Sequence, residues 1–233
     1  MIVEIEVIME EDTEMEHLRE FFAPIDNHKL CYSALEGVNR FFEENNWKIY
    51  PIGGSMLGAI RYGGLIPWDA DVDLFCEPLP SELEDLLIKS VKISNESLIV
   101  NRKLWDGRRP GLQIRTKKEL RVVIDIFYGI IRDGVIYSLG TKISNFPSSG
   151  TQGIDKLQIS GTKSWHIFGP SKVYLPNKES CQNYLEWKFG LNWNSEYSVY
   201  SQDHSYESKI CIKSDNNKDN QIRSWIGEIN LEG

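Results

Sequence analysis

Gly53-Gly54-Ser55-Met56-Leu57-Gly58-Ala59-Ile60-Arg61-Tyr62-Gly63-Gly64-Leu65-Ile66-Pro67-Trp68-Asp69-Ala70-Asp71-Val72-Asp73-Leu74 is the stretch from which the rest of the chain can be read. The glycine pair breaks a short strand over Trp47–Ile52, and glycine lets a ligand approach the backbone closely. Met56 to Tyr62 suits a helix, whose first amides would face that ligand and favour an anion. Ser55 adds a hydroxyl, so Gly53, Gly54 and Ser55 form a candidate phosphate cradle, although most Gly-Gly-Ser tripeptides are plain turns. Gly63-Gly64 and Pro67 punctuate a turn. Asp69 to Phe75 then alternates acid and apolar residues, the pattern of a strand. Residues two apart on a strand share a face, which would put Asp69, Asp71 and Asp73 together and Ala70, Val72 and Leu74 against the core.

Carboxylates roughly 6.5–7 Å apart along a strand repel and raise one another's pKa. A hard divalent cation removes that repulsion, and Mg²⁺ takes one or two carboxylates plus waters and substrate phosphates. The bland alternative is a solvent-facing edge strand that uses its charge against mispairing. Three acids in register beside a glycine pair weigh toward a metal, Mg²⁺ or Mn²⁺. A fourth acid, Asp125, interrupts Val122-Val123-Ile124-Asp125-Ile126-Phe127, otherwise the pattern of a fully buried strand. A buried carboxylate without a partner is expensive. Asp125 therefore completes the metal site, acts as a base, or pairs with Arg115 or Arg121.

Outward from this block, Leu30, Ala34, Val38 and Phe41 mark one face of a helix over 28–46, ended by Asn45-Asn46. Ser81 to Lys92 predicts a second helix, with Ser81 as N-cap and Glu84 closing a capping box. Strands are expected at Leu98–Leu104, Leu112–Thr116 and Arg121–Tyr128, with turns at Asp106-Gly107 and Lys117-Lys118. Residues 134–175 are rich in Gly, Ser and Thr, with a strand-like piece at Ser164–Phe168. Pro176-Asn177 introduces a further helix to Phe189, closed by Gly190. Residues 192–221 read as polar and loose, and 222–229 as a last short element. The sum is an α+β chain: a mixed β-sheet flanked by helices, one domain with a loose C-terminal tail. Its divisions are an acidic segment 1–27, a catalytic domain 28–193 and a polar tail 194–233.

The chain has 233 residues, 41% hydrophobic and 26% charged, which excludes a wholly disordered chain and a coiled-coil rod. Its net charge is −8, yet the first twenty residues hold eight acids and one base, so the acidity is an N-terminal feature. A general nucleic-acid binder would be basic, so no nucleic-acid partner is expected. Residues 101–121 reverse the sign locally, with eight bases and two acids. Such a stretch is either an aid to an anionic ligand or a solvated hairpin. The four cysteines form no CxxC pair, which argues against a zinc ribbon; Cys31 and Cys76 sit among apolar residues as buried thiols. No apolar run has transmembrane length. Met1–Ile8 reads as a short strand and not as a signal peptide. The expected location is cytoplasmic, free or peripheral to a membrane. A piece of a longer secretory-pathway protein would read the same.

The Gly-Gly-Ser turn, the helix, the Asp71–Asp73 pair and the later Asp125 resemble the polymerase-β-like nucleotidyltransferase superfamily. The full run from Gly53 to Leu74, the Val-Ile-Asp125-Ile-Phe segment and Val173–Pro176 with Tyr184–Gly190 resemble its LicD family, which includes bacterial phosphocholine transferases and the fukutin proteins. The resemblance spans about 28–193. Tyr62 departs from a common histidine and Ala70 from a common acid or aromatic residue. The cysteine spacing offers no counterpart to the zinc-binding insertion of the fukutin-related protein. The resemblance implies a metal-dependent enzyme that moves a phosphorylated alcohol from a CDP-activated donor to a carbohydrate hydroxyl and releases CMP. It implies that Asp71 and Asp73 hold Mg²⁺ or Mn²⁺ with Asp69 as ligand or neighbouring acid. Gly53, Gly54 and Ser55 would cradle phosphate, Arg61 would neutralise charge or lie on the surface, and Asp125 would bind metal or accept a proton. Two rivals use the same carboxylates: true nucleotidyl transfer onto a protein, RNA or small molecule, and an inactive nucleotide-binding module.

Overall fold

A computed structural model describes residues 11–105, 109–138, 156–159, 161–199 and 210–231. The expected strand at Met1–Ile8 and the turn at Asp106-Gly107 lie outside the described residues. The chain runs α1 (Glu11–Arg19), α2 (Ile25–Glu44), β1 (Ile49–Pro51), α3 (Gly53–Arg61), β2 (Val72–Cys76), α4 (Ser81–Ser94), β3 (Leu98–Trp105), β4 (Arg109–Thr116) and β5 (Val122–Arg132). It continues through β6 (Val135–Ser138), β7 (Lys156–Gln158), β8 (Ser164–Phe168), β9 (Ser171–Leu175), α5 (Lys178–Phe189), β10 (Glu196–Val199), β11 (Ile210–Lys213) and α6 (Asn216–Leu231).

The main sheet has the order β1-β2-β5-β4-β3, and β6 joins β5 to β7. Only β2 and β5 run parallel among its described pairs, since α4, β3 and β4 form the crossover between them. The sheet is mixed and curled, because β5 pairs with β2 and β4 along its first half and hands its second half to β6. The α+β class and the mixed sheet flanked by helices are as expected.

Helix α2 is the main cover of the sheet. Cys31, Ala34, Leu35, Val38, Phe41 and Phe42 recur at helical spacing and are buried. Fully burying each large side chain of this kind stabilises by roughly 1.5–3 kcal/mol. Asn46 stops the helix in the left-handed region at φ 52. The amide of Asn46 reaches the Glu43 carbonyl and that of Trp47 the Phe42 carbonyl, which closes a Schellman end. The helix starts at Ile25, before the expected 28, and Leu30 is only half-buried.

Three expectations need correction. Glu84 closes no capping box: Pro80 occupies the N-cap position of α4 and no side chain caps it. The Glu84 carboxylate instead accepts from Tyr128 Oη at 2.5 Å and pairs with Arg102 at 2.5 Å, so tertiary partners have outcompeted the local one. Second, β2 starts at Val72, not at Asp69. Side chains of α2 bind the carbonyls of Asp69 and Ala70 and hold that segment out of the sheet. Third, part of the segment read as loose is folded. β10 pairs with β11, and α6 extends the element expected at 222–229 to sixteen residues. Ile222 and Ile226 pack with Met15 and Leu18 of α1 and with Tyr62 and Ile66.

Candidate active site

The parallel pairing of β2 and β5 sets Asp73 directly beside Asp125. Directly paired residues on neighbouring strands point to the same face. Asp71 comes from the turn just before β2. Carboxylate oxygens of Asp71, Asp73 and Asp125 lie within 4.8 Å of one another. Asp125 is buried, and its Oδ1 accepts a hydrogen bond from Gln113 Nε2 at 2.7 Å. Gln113 stands opposite Asp125 on β4 and in turn accepts from Arg115 Nε. A neutral amide thus separates Asp125 from Arg115, while Arg121 pairs with Glu119 at 3.1 Å.

Ser55 lies beneath the cluster. It is buried, and its hydroxyl oxygen accepts from the Asp73 amide at 2.9 Å, which pins the start of β2 to α3. Gly53 has φ +55, and an added Cβ would meet Asp73 Oδ2 at 3.3 Å. Its amide donates to Tyr184 Oη of α5 at 2.9 Å. A Cβ on Gly54 would stand 2.1 Å from Asp69 Oδ2. The glycine pair therefore makes room for two of the chain's own aspartates at the amino end of α3. The amides of Gly54 and Ser55 belong to the first turn, where no earlier carbonyl of the helix serves them.

Asp69 stands beside the three-carboxylate group and outside it, against Gly54. Burial and then the Asp71 charge push its carboxyl up to about 7. Asp73 is raised well above the ordinary carboxylate range, first by burial and then by Asp71, Asp125 and Asp69, with Lys188 opposing. Crowded, desolvated carboxylates of this kind carry their charge at a cost that a divalent cation would remove. Three acid oxygens at this spacing are a hard-donor set that can hold a metal ion.

Arg61 is directed elsewhere. It closes α3, about 12 Å along the helix from Gly53. Its buried guanidinium donates to the carbonyls of Trp193 at 3.2 Å and Glu196 at 3.0 Å and lies 3.8 Å from Asp219. It ties α3 to the C-terminal segment, and the expected role beside phosphate is not what its position serves.

Residues not anticipated from the sequence shape the site. Asn27 Nδ2 and Cys31 Sγ donate to the Ala70 carbonyl at 2.8 and 3.4 Å, and His28 Nε2 donates to the Asp69 carbonyl at 2.8 Å. Together they hold the turn that carries Asp69 and Asp71. Gln113 had a visible signal: Leu112-Gln113-Ile114 sets a polar residue between buried apolar neighbours, the same anomaly that marked Asp125. His28 had a weaker one, a polar side chain one turn before Tyr32 on the buried face of α2.

Asp71 and Asp73 beside the glycine turn, with Asp125 on the adjacent parallel strand, are placed as the resemblance of the Gly53–Leu74 block implies. Residues 46–163 match the family described as LicD/FKTN/FKRP, nucleotidyltransferase domain, and the chain belongs to that family. The match contains the whole Gly53–Leu74 block and Asp125. No curated protein matches the chain. Among the described residues no helix is long and apolar enough to cross a membrane.

Proposed function

We propose that the protein is a metal-dependent transferase that moves a phosphorylated alcohol from a CDP-activated donor to a glycan hydroxyl and releases CMP. The observation that carries the metal-dependent part is the convergence of Asp71, Asp73 and Asp125 within 4.8 Å. The donor and acceptor classes come from the family resemblance of the Gly53–Leu74 block. Asp71, Asp73 and Asp125 would hold Mg²⁺ or Mn²⁺. Such an ion, when bound, neutralises a diphosphate and polarises its phosphorus–oxygen bonds.

The chain's own residues do the rest. The amides of Gly54 and Ser55 present donors at the amino end of α3, where an anion is favoured. Ser55 fixes Asp73, and Gln113 fixes Asp125, so that little reorganisation is needed when substrate arrives. The acceptor oxygen forms a bond to the phosphorus next to the alcohol, and the bond from that phosphorus to the CMP oxygen breaks. The acceptor's proton passes to a carboxylate, for which Asp125 is the candidate when it is not a ligand.

The test is incubation with a panel of CDP-alcohols and a carbohydrate acceptor in Mg²⁺ or Mn²⁺, with CMP measured. CMP formed only with donor, acceptor and metal together supports the reading. The family's description as a nucleotidyltransferase domain favours one second reading, transfer of a nucleoside monophosphate. Pyrophosphate released from a nucleoside triphosphate, with no CMP from any CDP-alcohol, would replace the first reading with that one.

A further inference from the structure

A cleft lies away from the carboxylates, lined by the end of α2, by β1 and the residues just before it, and by the β8–β9 hairpin. Its buried residues are Phe42 and Ile49. Ile49 pairs with Cys76, three residues beyond Asp73. That is about 10 Å along β2 and, by strand alternation, on the opposite face of the sheet. Trp47, Trp165 and Tyr174 wall the cleft. The Trp165 and Tyr174 rings lie 5.1 Å apart, tilted by 54°. Trp165 remains 37% exposed, so its ring is open to a ligand. Lys172 Nζ sits 4.4 Å from the Trp165 ring centre and donates to Glu43 Oε1 at 2.6 Å. Lys48 Nζ stands 5.4 Å from the Tyr174 ring centre. Among the described residues, Trp165 Nε1, Tyr174 Oη and Lys48 Nζ have no hydrogen-bond partner.

We propose that this cleft is a saccharide-binding site that takes one pyranose ring. The cleft measures about 170 Å³. Pockets for drug-sized ligands run to roughly 300–1,000 Å³, so this one suits a single ring and not a nucleotide. A pyranose has apolar C–H faces and a belt of hydroxyls. The faces match the indole and phenol rings, which present large apolar area at low entropic cost. The hydroxyls match the open polar groups: donors at Trp165 Nε1 and Lys48 Nζ, and Tyr174 Oη as donor or acceptor. Glu43 adds acceptor positions, since Lys172 takes one of the roughly four that a carboxylate offers. An aliphatic side chain in the cleft would leave all of these groups unmatched. A quaternary ammonium would suit the rings. Lys48 and Lys172 already lie against two of them, however, and would repel it. The site stands apart from the transferase reading, because it shares no residue with the carboxylate cluster.

The test follows the indole N–H signals of Trp47 and Trp165 by nuclear magnetic resonance on the full chain. The probes are methyl β-glucoside, methyl β-galactoside and glucuronic acid, with glycerol and choline as controls. At least one of the three sugars should move both signals saturably, with a dissociation constant on the order of millimolar. Trp165→Ala, read on Trp47, should weaken that sugar at least about tenfold. Tyr174→Phe keeps the ring and Lys48→Met changes an exposed side chain, so both keep the test alive if Trp165→Ala misfolds. Each should weaken the sugar about threefold through one lost hydrogen bond. Three silent sugars overturn the inference, as does glycerol acting as strongly as they do. Choline that moves the indoles while the sugars do not would make the cleft a cation cage instead. Sugar affinity unchanged in all three variants would place binding elsewhere and overturn the site.

Discussion

Asp125 was visible in the sequence as an acid inside an apolar strand, and Asp69, Asp71 and Asp73 as three acids at every second position. Asp73 and Asp125 face one another across parallel strands, so Asp→Asn at either position keeps shape and removes one repelling charge. Asp71→Asn and Asp73→Asn are expected to reduce turnover by at least a hundredfold on the order of magnitude of lost electrostatic stabilisation, with the fold intact. Near wild-type rates in either would remove it from the metal set. Asp125→Asn still offers an oxygen to Gln113 Nε2, and should raise the melting temperature of metal-free protein while it abolishes activity. A lower melting temperature would mean that its charge is structurally needed.

Asp69 makes a pH prediction with a definite sign. Its folded pKa is raised from 3.8 to about 7, so the folded state binds the proton more tightly. Stability from this group is fully present below about pH 4 and is lost as pH rises toward 7, at about 1.4 kcal/mol per unit at most. His28 has the opposite sign. Burial lowers it to about 4, so it costs stability as pH falls from 6.5 to 4. The two slopes oppose, and only a difference isolates one of them. The stability of Asp69→Asn relative to wild type, from urea melts in EDTA, should improve steadily between pH 4 and pH 7. A flat difference would show that Asp69 is not strained in the fold.

Among the elements, helix α2, the three strands from β3 to β5 and helix α5 were legible because local pattern and final packing agree. Asn177, for example, caps α5 through the Ser180 amide as its residue type suggests, and Gly190 ends the helix at φ 89. The failures share one cause. Glu84 and the Asp69–Ala70 backbone each had a plausible local role, and each was claimed by a partner far away in sequence: Tyr128 and α2. No periodicity within a window reports such partners. The amino end of α3 gives the sharpest test at this scale. Alanine at position 54 would favour a helix by about 1 kcal/mol on propensity alone. Its Cβ, however, would stand 2.1 Å from Asp69 Oδ2. Gly54→Ala should therefore lose about tenfold or more in activity, through a displaced Asp69, without unfolding. An active Gly54→Ala enzyme would show that the position of Asp69 is immaterial.

For the whole molecule, composition suggested a tail beyond residue 193, and the packing suggests a working part. The family match ends at 163, yet residues well beyond it bear on the site. Arg61 holds the carbonyls of Trp193 and Glu196, and Arg223 Nη2 of α6 donates back to the Arg61 carbonyl at 2.6 Å. Trp225 meets His28 edge-on with ring centres 4.9 Å apart, and His28 grips the Asp69 carbonyl at 2.8 Å. The sequence could not announce this, since α6 buries Ile222, Ile226 and Ile229 on one narrow stripe amid polar residues. Ile226→Ala should cost about 2–4 kcal/mol, because the side chain is buried in the cluster that joins α1 to α6. Trp225→Ala should cost less stability, since that ring is only half-buried, and should lower activity beyond what its stability explains, because His28 loses its neighbour. A chain cut after residue 193 would expose Leu18, Tyr62 and Ile66 and leave Arg61 without the Glu196 carbonyl. It should aggregate or melt at least about 10 °C lower, and should not turn over. A truncated protein that stays folded, binds Mg²⁺ as tightly as the full chain and keeps its activity would make the segment from 194 onward a dispensable appendage and break the proposed link from α6 through His28 to the aspartate turn.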